Sequence, residues 1–290
     1  MTTLVLKLVL TPSVMVGATL AGRRWGGTVS GWLVGFPLTS GPLVLYLALD
    51  HGRRFAAHTA VGSLSGAIAE VAFCLGYGLG ARRSWKVAVI TASAGFAAAA
   101  AALQALPLGV GPRLLPLLAA VVLALAAGLL LLPRPALRAP TSVRTPGWDL
   151  AARAAVATCL VLALAALAPT IGARLTGLLA VYPLYSAVLA VFAHRLQGHG
   201  AAIGLLRGLL AGLFSFAAFY AVLPELLVHA GTAAAFACAI PAAVAVQAFS
   251  GARLFRWERS TTASTGSSQA GSSGSGSSSL RRRRSPPTGT

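Results

Sequence analysis

A chain of 290 residues that is 57% hydrophobic and only 10% charged, with a mean hydropathy of +0.79, is not an ordinary soluble domain, and it is not disordered over its whole length. Its net charge of +18, from 23 Lys+Arg against 5 Asp+Glu, would suggest nucleic acid as a partner of a soluble protein. Here the basic residues fall in short clusters between long apolar runs, which reads as membrane topology, with the lipid bilayer as partner and no nucleic acid.

A spanning helix needs about 20 apolar residues. Charged or Gly/Pro breaks mark off nine runs of roughly that length, at about 3–21, 27–49, 55–80, 85–106, 112–132, 150–169, 173–194, 200–224 and 231–252. Backbone groups in lipid must be satisfied within the chain, so the runs are expected to be helices. Met1-Thr2-Thr3 lacks the basic start of a signal peptide, so the first run is expected to be retained. The segment 133–148, with Pro133, Pro135, Pro140, Pro146 and Arg134, Arg138, Arg144, reads as a polar linker. Residues 260–290 are Ser/Gly-rich and end in Arg281-Arg282-Arg283-Arg284. They hold almost no apolar side chains and are expected to be a disordered tail.

Counting Lys and Arg between nine helices puts eighteen on one side and five on the other. The positive-inside rule then places the N-terminus outside and the C-terminus in the cytoplasm. The richness in Ala, Gly, Leu and Arg points to the inner (plasma) membrane of a GC-rich bacterium. The arginines of the tail are suited to anionic lipid headgroups.

The chain repeats itself at an offset of 146 residues. Gly31-Trp32-Leu33-Val34-Gly35-Phe36-Pro37-Leu38-Thr39-Ser40 lies over Gly177-Leu178-Leu179-Ala180-Val181-Tyr182-Pro183-Leu184-Tyr185-Ser186. Lys7 lies over Arg153, Gly26 over Gly172, Gly52 over Gly198, Gly62 over Gly208, Gly66 over Gly212 and Phe73 over Phe219. Four helices per repeat and one between them would start the second repeat on the opposite side of the membrane. The expected fold is therefore an all-α polytopic membrane protein with about nine transmembrane helices. Residues 1–106 form one four-helix repeat and 107–149 a linking helix with a Pro/Arg-rich cytoplasmic loop. Residues 150–259 form the second, inverted four-helix repeat, and 260–290 the tail. Inverted repeats are common in secondary transporters.

Each half resembles the GlpM family of small bacterial inner-membrane proteins. The resemblance rests on an early basic residue (Lys7, Arg153), a Gly-Leu-like entry to the second helix, and its Phe36-Pro37 or Tyr182-Pro183 pair. It also rests on an acidic turn, Asp50-His51-Gly52, where the second half has Leu196-Gln197-Gly198, and on a basic break before the fourth helix. It covers roughly 1–105 and 150–251. It implies an inner-membrane role loosely tied to glycerol metabolism and exopolysaccharide production, and brings no catalytic residues to carry over.

Four features carry the functional reading. Pro37 and Pro183 sit near mid-span in helices 2 and 7; proline withholds a backbone donor, and the freed carbonyls need polar neighbours such as Thr39, Ser40 or Ser186. Such breaks either line a substrate path or are packing kinks. Gly204, Gly208 and Gly212, like Gly62 and Gly66, recur every four residues and predict close helix packing, with helices 3 and 8 crossing each other. Glu70 is the one acidic residue deep in a predicted helix, on the Gly66 stripe; a carboxylate there must be paired or protonated, and Arg207 is the expected partner. The two are read either as a proton-coupling and substrate site or as a structural ion pair. Finally, Cys74, Cys159, Cys238 and the five histidines show no metal-ligand spacing, so no metal or cofactor is inferred. No nucleophile with its base is evident either, since Gly271-Ser272-Ser273-Gly274 falls in the tail, and the chain is read as not an enzyme. The leading function is a secondary transporter or permease for a small solute. A non-transporting envelope scaffold is the alternative, and a homo-oligomer is compatible with either.

Overall fold

The computed structural model describes residues 13, 16–17, 19–21, 23–37, 40–50, 52–106, 112–133, 151, 155, 159 and 182–273, with the side chains of 42, 43, 46, 50 and 253–273 excepted. The described residues contain helices and no strand. In chain order these are α1 (Gly27–Val34), α2 (Ser40–Asp50), α3 (Arg53–Gly80), α4 (Trp85–Gln104), α5 (Leu114–Leu131), α6 (Leu184–Gln197), α7 (His199–His229) and α8 (Thr232–Ser273).

Five of them are long and apolar enough to cross a membrane: α3, α4, α5, α7 and the Thr232–Ala252 part of α8. They fit a multi-pass membrane protein in a lipid bilayer. Large aliphatic side chains on their outer surfaces agree, since Leu79, Ile90, Leu115, Leu123 and Leu130 are all exposed. In water such a surface would be an aggregation liability, whereas lipid tails solvate it without penalty.

The nine expected spans do not all appear as continuous helices. The run at 27–49 is two helices, α1 and α2, interrupted between Gly35 and Ser40. The described part of the run at 173–194 begins at Tyr182, and α6 starts only after Pro183. The runs at 3–21 and 150–169, the linker 133–148 and Arg281–Arg284 lie outside the described residues, apart from scattered positions. Helix α8 continues to Ser273, into the stretch whose composition suggests a disordered tail.

Helices α3 and α7 are the inner pair. They pack against each other, and both touch α5; α3 also carries α2 and α4, while α7 carries α1 and α6. Tyr77, Phe73 and Leu64 of α3 and Tyr220, Leu206 and Leu210 of α7 are fully buried. Both helices open on the same device. Gly52 (φ 89°, ψ 160°) precedes α3 and Gly198 (φ 93°, ψ 172°) precedes α7, a left-handed φ that glycine adopts freely.

The expected glycine stripe of α7 faces α1 rather than α3. A Cβ on Gly208 would collide with the Thr28 carbonyl oxygen, and one on Gly212 with that of Trp32. The fit is mutual, because a Cβ on Gly31 would collide with the Leu205 carbonyl, and one on Gly35 would lie 2.7 Å from Gly212 Cα. Glycine at all four positions lets the two backbones touch. Gly62, by contrast, is exposed, with open space where a Cβ would stand, while Gly66 and Gly204 are buried. Only the partner surface distinguishes the packed glycines from the open one.

Candidate functional site

At the first helix break the carbonyls of Trp32 and Leu33 both find donors. Pro37 has no N–H to give the Leu33 carbonyl. That carbonyl takes the Phe36 N–H instead (3.3 Å), which in a continuous helix would have served Trp32. The Trp32 carbonyl is met by the side-chain amide of Gln247, whose Nε2 donates across 2.9 Å. The chain then resumes as α2, with Gly41 N–H on the Pro37 carbonyl (3.1 Å), buried Pro37 and half-buried Ser40.

The start of α6 at the second proline is held differently. Leu184 N–H closes back on the Tyr182 carbonyl (2.7 Å), and Ala187 N–H bonds the Pro183 carbonyl (2.8 Å). The Tyr182 hydroxyl lies 2.8 Å from Ser93 Oγ of α4. Its ring stands edge-on to Phe73 (5.7 Å) and Phe96 (5.3 Å). Ser186, one turn into α6, is 1% exposed, and its hydroxyl meets no hydrogen-bond partner.

Glu70 is buried in α3 at 9% exposure, one turn before buried Cys74. The expected pairing with Arg207 is not formed; among the described residues no ion pair or hydrogen bond engages Glu70. The Arg207 guanidinium donates instead to the carbonyls of Leu129 (2.8 Å) and Leu132 (2.6 Å). The last carbonyls of α5 have no intrahelical donor and form the negative end of its dipole, so a cation there is held by both effects.

Toward the other end of α3, the Tyr77 hydroxyl and His194 Nδ1 of α6 are 3.2 Å apart, and Arg195 lies over the Trp85 ring at 5.5 Å. These two contacts join the α3–α4 turn region to the end of α6. Of the residues singled out in the sequence, the structure thus brings Pro37 and Ser40 to one break and Pro183 and Ser186 to the other, and places Glu70 and Arg207 apart.

Residues that the sequence did not single out as site residues are Gln247, Tyr182, Ser93, Ser63 and Tyr220. Gln247 had a visible signal, an amide in an apolar run that must find a partner. Tyr220 had one too: it lies four residues before Pro224, which α7 accommodates without interruption. Among the described residues no group of three His, Cys, Asp or Glu is placed to hold a metal. In comparisons with known proteins the chain matches no family model, no curated protein and no solved structure.

Proposed function

We propose that the protein is a secondary transporter or permease for a small solute, built from two inverted repeats in a bacterial plasma membrane. The observation that carries the reading is the pair of aromatic-proline motifs. Phe36-Pro37 interrupts the run between α1 and α2, and Tyr182-Pro183, 146 residues further on, directly precedes α6; each is followed by a shorter helix, a left-handed glycine and a long inner helix. Discontinuous helices near mid-membrane present backbone groups and small polar side chains to a solute, and transporters with inverted repeats use them so. Two fused copies of a GlpM-like unit would account for the duplication.

Within this reading Glu70 carries the coupling proton. A buried carboxyl with no ion pair among the described residues crosses a low-dielectric region at least cost when protonated, which suits a carrier that loads and releases a proton. Arg207 is then an anchor of α5 rather than part of the coupling pair.

Two measurements test the proposal. Reporters active on only one side of the membrane, fused after residues 52 and 198, should read outside and cytoplasmic respectively; the same side for both removes the inverted repeat. In proteoliposomes with an imposed pH gradient, Glu70→Gln should abolish solute accumulation while leaving expression intact. Undiminished accumulation would remove Glu70 from the mechanism. Expression lost together with accumulation would mark it as structural.

A further inference from the structure

Most buried hydroxyls of the inner helices have partners. Ser65 and Ser215 bond back to the carbonyls of Gly62 and Gly212, both at 2.7 Å, and Tyr77 and Tyr182 bond across helices. Tyr220 differs. Its side chain is fully buried, with its ring between Phe216 (centroids 4.6 Å) and Phe219 (5.0 Å). Its hydroxyl makes no hydrogen bond of good geometry. The polar groups beside that hydroxyl are Ser40 and Ser63. A buried hydroxyl left unsatisfied costs about 1–3 kcal/mol. The backbone adds to the deficit, because Pro224 has no N–H for the Tyr220 carbonyl.

Three elements converge here. Ser40 opens α2 directly after the Pro37 break, Ser63 lies in α3, and Tyr220 lies in α7. Gly41 confirms the approach, since a Cβ on it would sit 3.5 Å from Phe219 Cζ. The depth is informative too. The start of α3 and the end of α7 lie within reach of one arginine side chain, with Arg53 Nη1 3.5 Å from where a Cβ on Gly231 would stand. Ser63 is ten residues from that end and Tyr220 nine, so each lies ~14–15 Å deep at 1.5 Å per residue. That is about the middle of a hydrocarbon core of ~30 Å.

We propose that Ser40, Ser63 and Tyr220 form the binding site for a small uncharged solute with both hydrogen-bond donors and acceptors, of the polyol or simple amide class. The proposal rests on the transporter reading and names its substrate class. Hydroxyls both donate and accept, so three of them complement a neutral molecule that does the same. Among the described residues, the polar groups that act on the Tyr220 hydroxyl are the two serines, both uncharged. Glu70 is seven residues along α3 from Ser63, ~10 Å away by helix rise. An ionic solute at this depth would be desolvated with no counter-charge, at a cost hydroxyls do not offset. The Phe216 and Phe219 rings supply the apolar wall that such a site needs.

The test uses the full chain in lipid nanodiscs and saturation-transfer NMR, with erythritol and acetamide as neutral probes and lactate and methylammonium as charged ones. Transfer is expected to the neutral probes only. Tyr220→Phe should weaken their affinity about fivefold, the equivalent of one neutral hydrogen bond. Ser65→Ala, whose hydroxyl bonds its own helix, should leave it unchanged. Since Tyr220→Phe removes an unsatisfied group, its melting temperature should equal or exceed that of the parent. If it nevertheless misfolds, Ser63→Ala carries the same expectation. Absence of transfer to both neutral probes, transfer only to charged ones, or equal affinity in Tyr220→Phe each overturns the site. Stopped-flow flux in proteoliposomes separates the two proposals. Neutral binding lost in Tyr220→Phe without flux in the parent keeps the site and removes transport. Flux that Tyr220→Phe does not alter keeps transport and removes the site.

Discussion

The two proline breaks have nearly the same local sequence and quite different surroundings. At Pro37 the broken strand of hydrogen bonds is repaired by a side chain from far along the chain, Gln247, and the helix before it is pressed backbone to backbone on α7 through Gly31, Gly35, Gly208 and Gly212. At Pro183 the stabilising contacts are made by the aromatic residue itself, with Tyr182 bonded to Ser93 and wedged between Phe73 and Phe96. Phe36, its counterpart, has no hydroxyl to do this. A duplicated motif therefore sets where a helix breaks, while non-equivalent neighbours set what holds the break open. Only the Pro37 motif borders the Tyr220 hydroxyl, so the proposed solute site would be asymmetric even in a duplicated chain.

The largest effect expected from this contrast is at the backbone contact. Gly208→Leu should cost about 3 kcal/mol or more, because the atom it strikes is the Thr28 carbonyl and cannot rotate away. Fluorescence-detected size exclusion in mild detergent should show loss of the monodisperse peak. Gly62→Leu, at the matching position of α3, should leave that peak intact, and equal behaviour of the two would contradict the assigned packing. Next comes Gln247→Leu, which removes the side-chain amide bond to the Trp32 carbonyl and should cost about 1 kcal/mol in thermal unfolding. A neutral result would mean that the first break does not depend on that amide. Tyr182→Phe keeps both ring contacts and loses only the bond to Ser93, so a loss of at most about 1 kcal/mol is expected in the same assay. Smallest is Ser186→Ala. Its hydroxyl has no partner to lose, so unfolding should be unchanged or slightly delayed, and a clear destabilisation would show that the second break relies on Ser186 after all.

Membrane class, helical content and the breaks follow from local rules that a sequence exposes directly. Length and apolarity identify the spanning runs, and Pro37 and Pro183 withhold a donor whatever surrounds them. Glycine spacing likewise announces close packing in α7. The expected meeting of α3 and α7 is present, but the α7 stripe itself lies against α1, and Gly62, with the same spacing, meets nothing among the described residues. Arg207 shows the limit of charge matching. In the sequence the one deep carboxylate is its natural partner, yet the carbonyl end of α5 lies beside it and accepts its hydrogen bonds. Tyr220 escapes notice because a tyrosine in an apolar run is ordinary until its surroundings leave it unsatisfied.

By itself the sequence determined that this chain is helical, carries spans apolar enough for a membrane and breaks at Pro37, because hydropathy, helix length and proline's missing N–H act over a few residues. Only the tertiary structure decided that Gly208 meets Thr28, that Gln247 serves Trp32, and that Tyr220 faces Ser40 and Ser63. Lipid is as apolar as leucine, so burial against protein and exposure to lipid select the same side chains. Which helices touch is then settled by shape and by which polar atoms find one another across more than a hundred residues, and no local pattern carries that information.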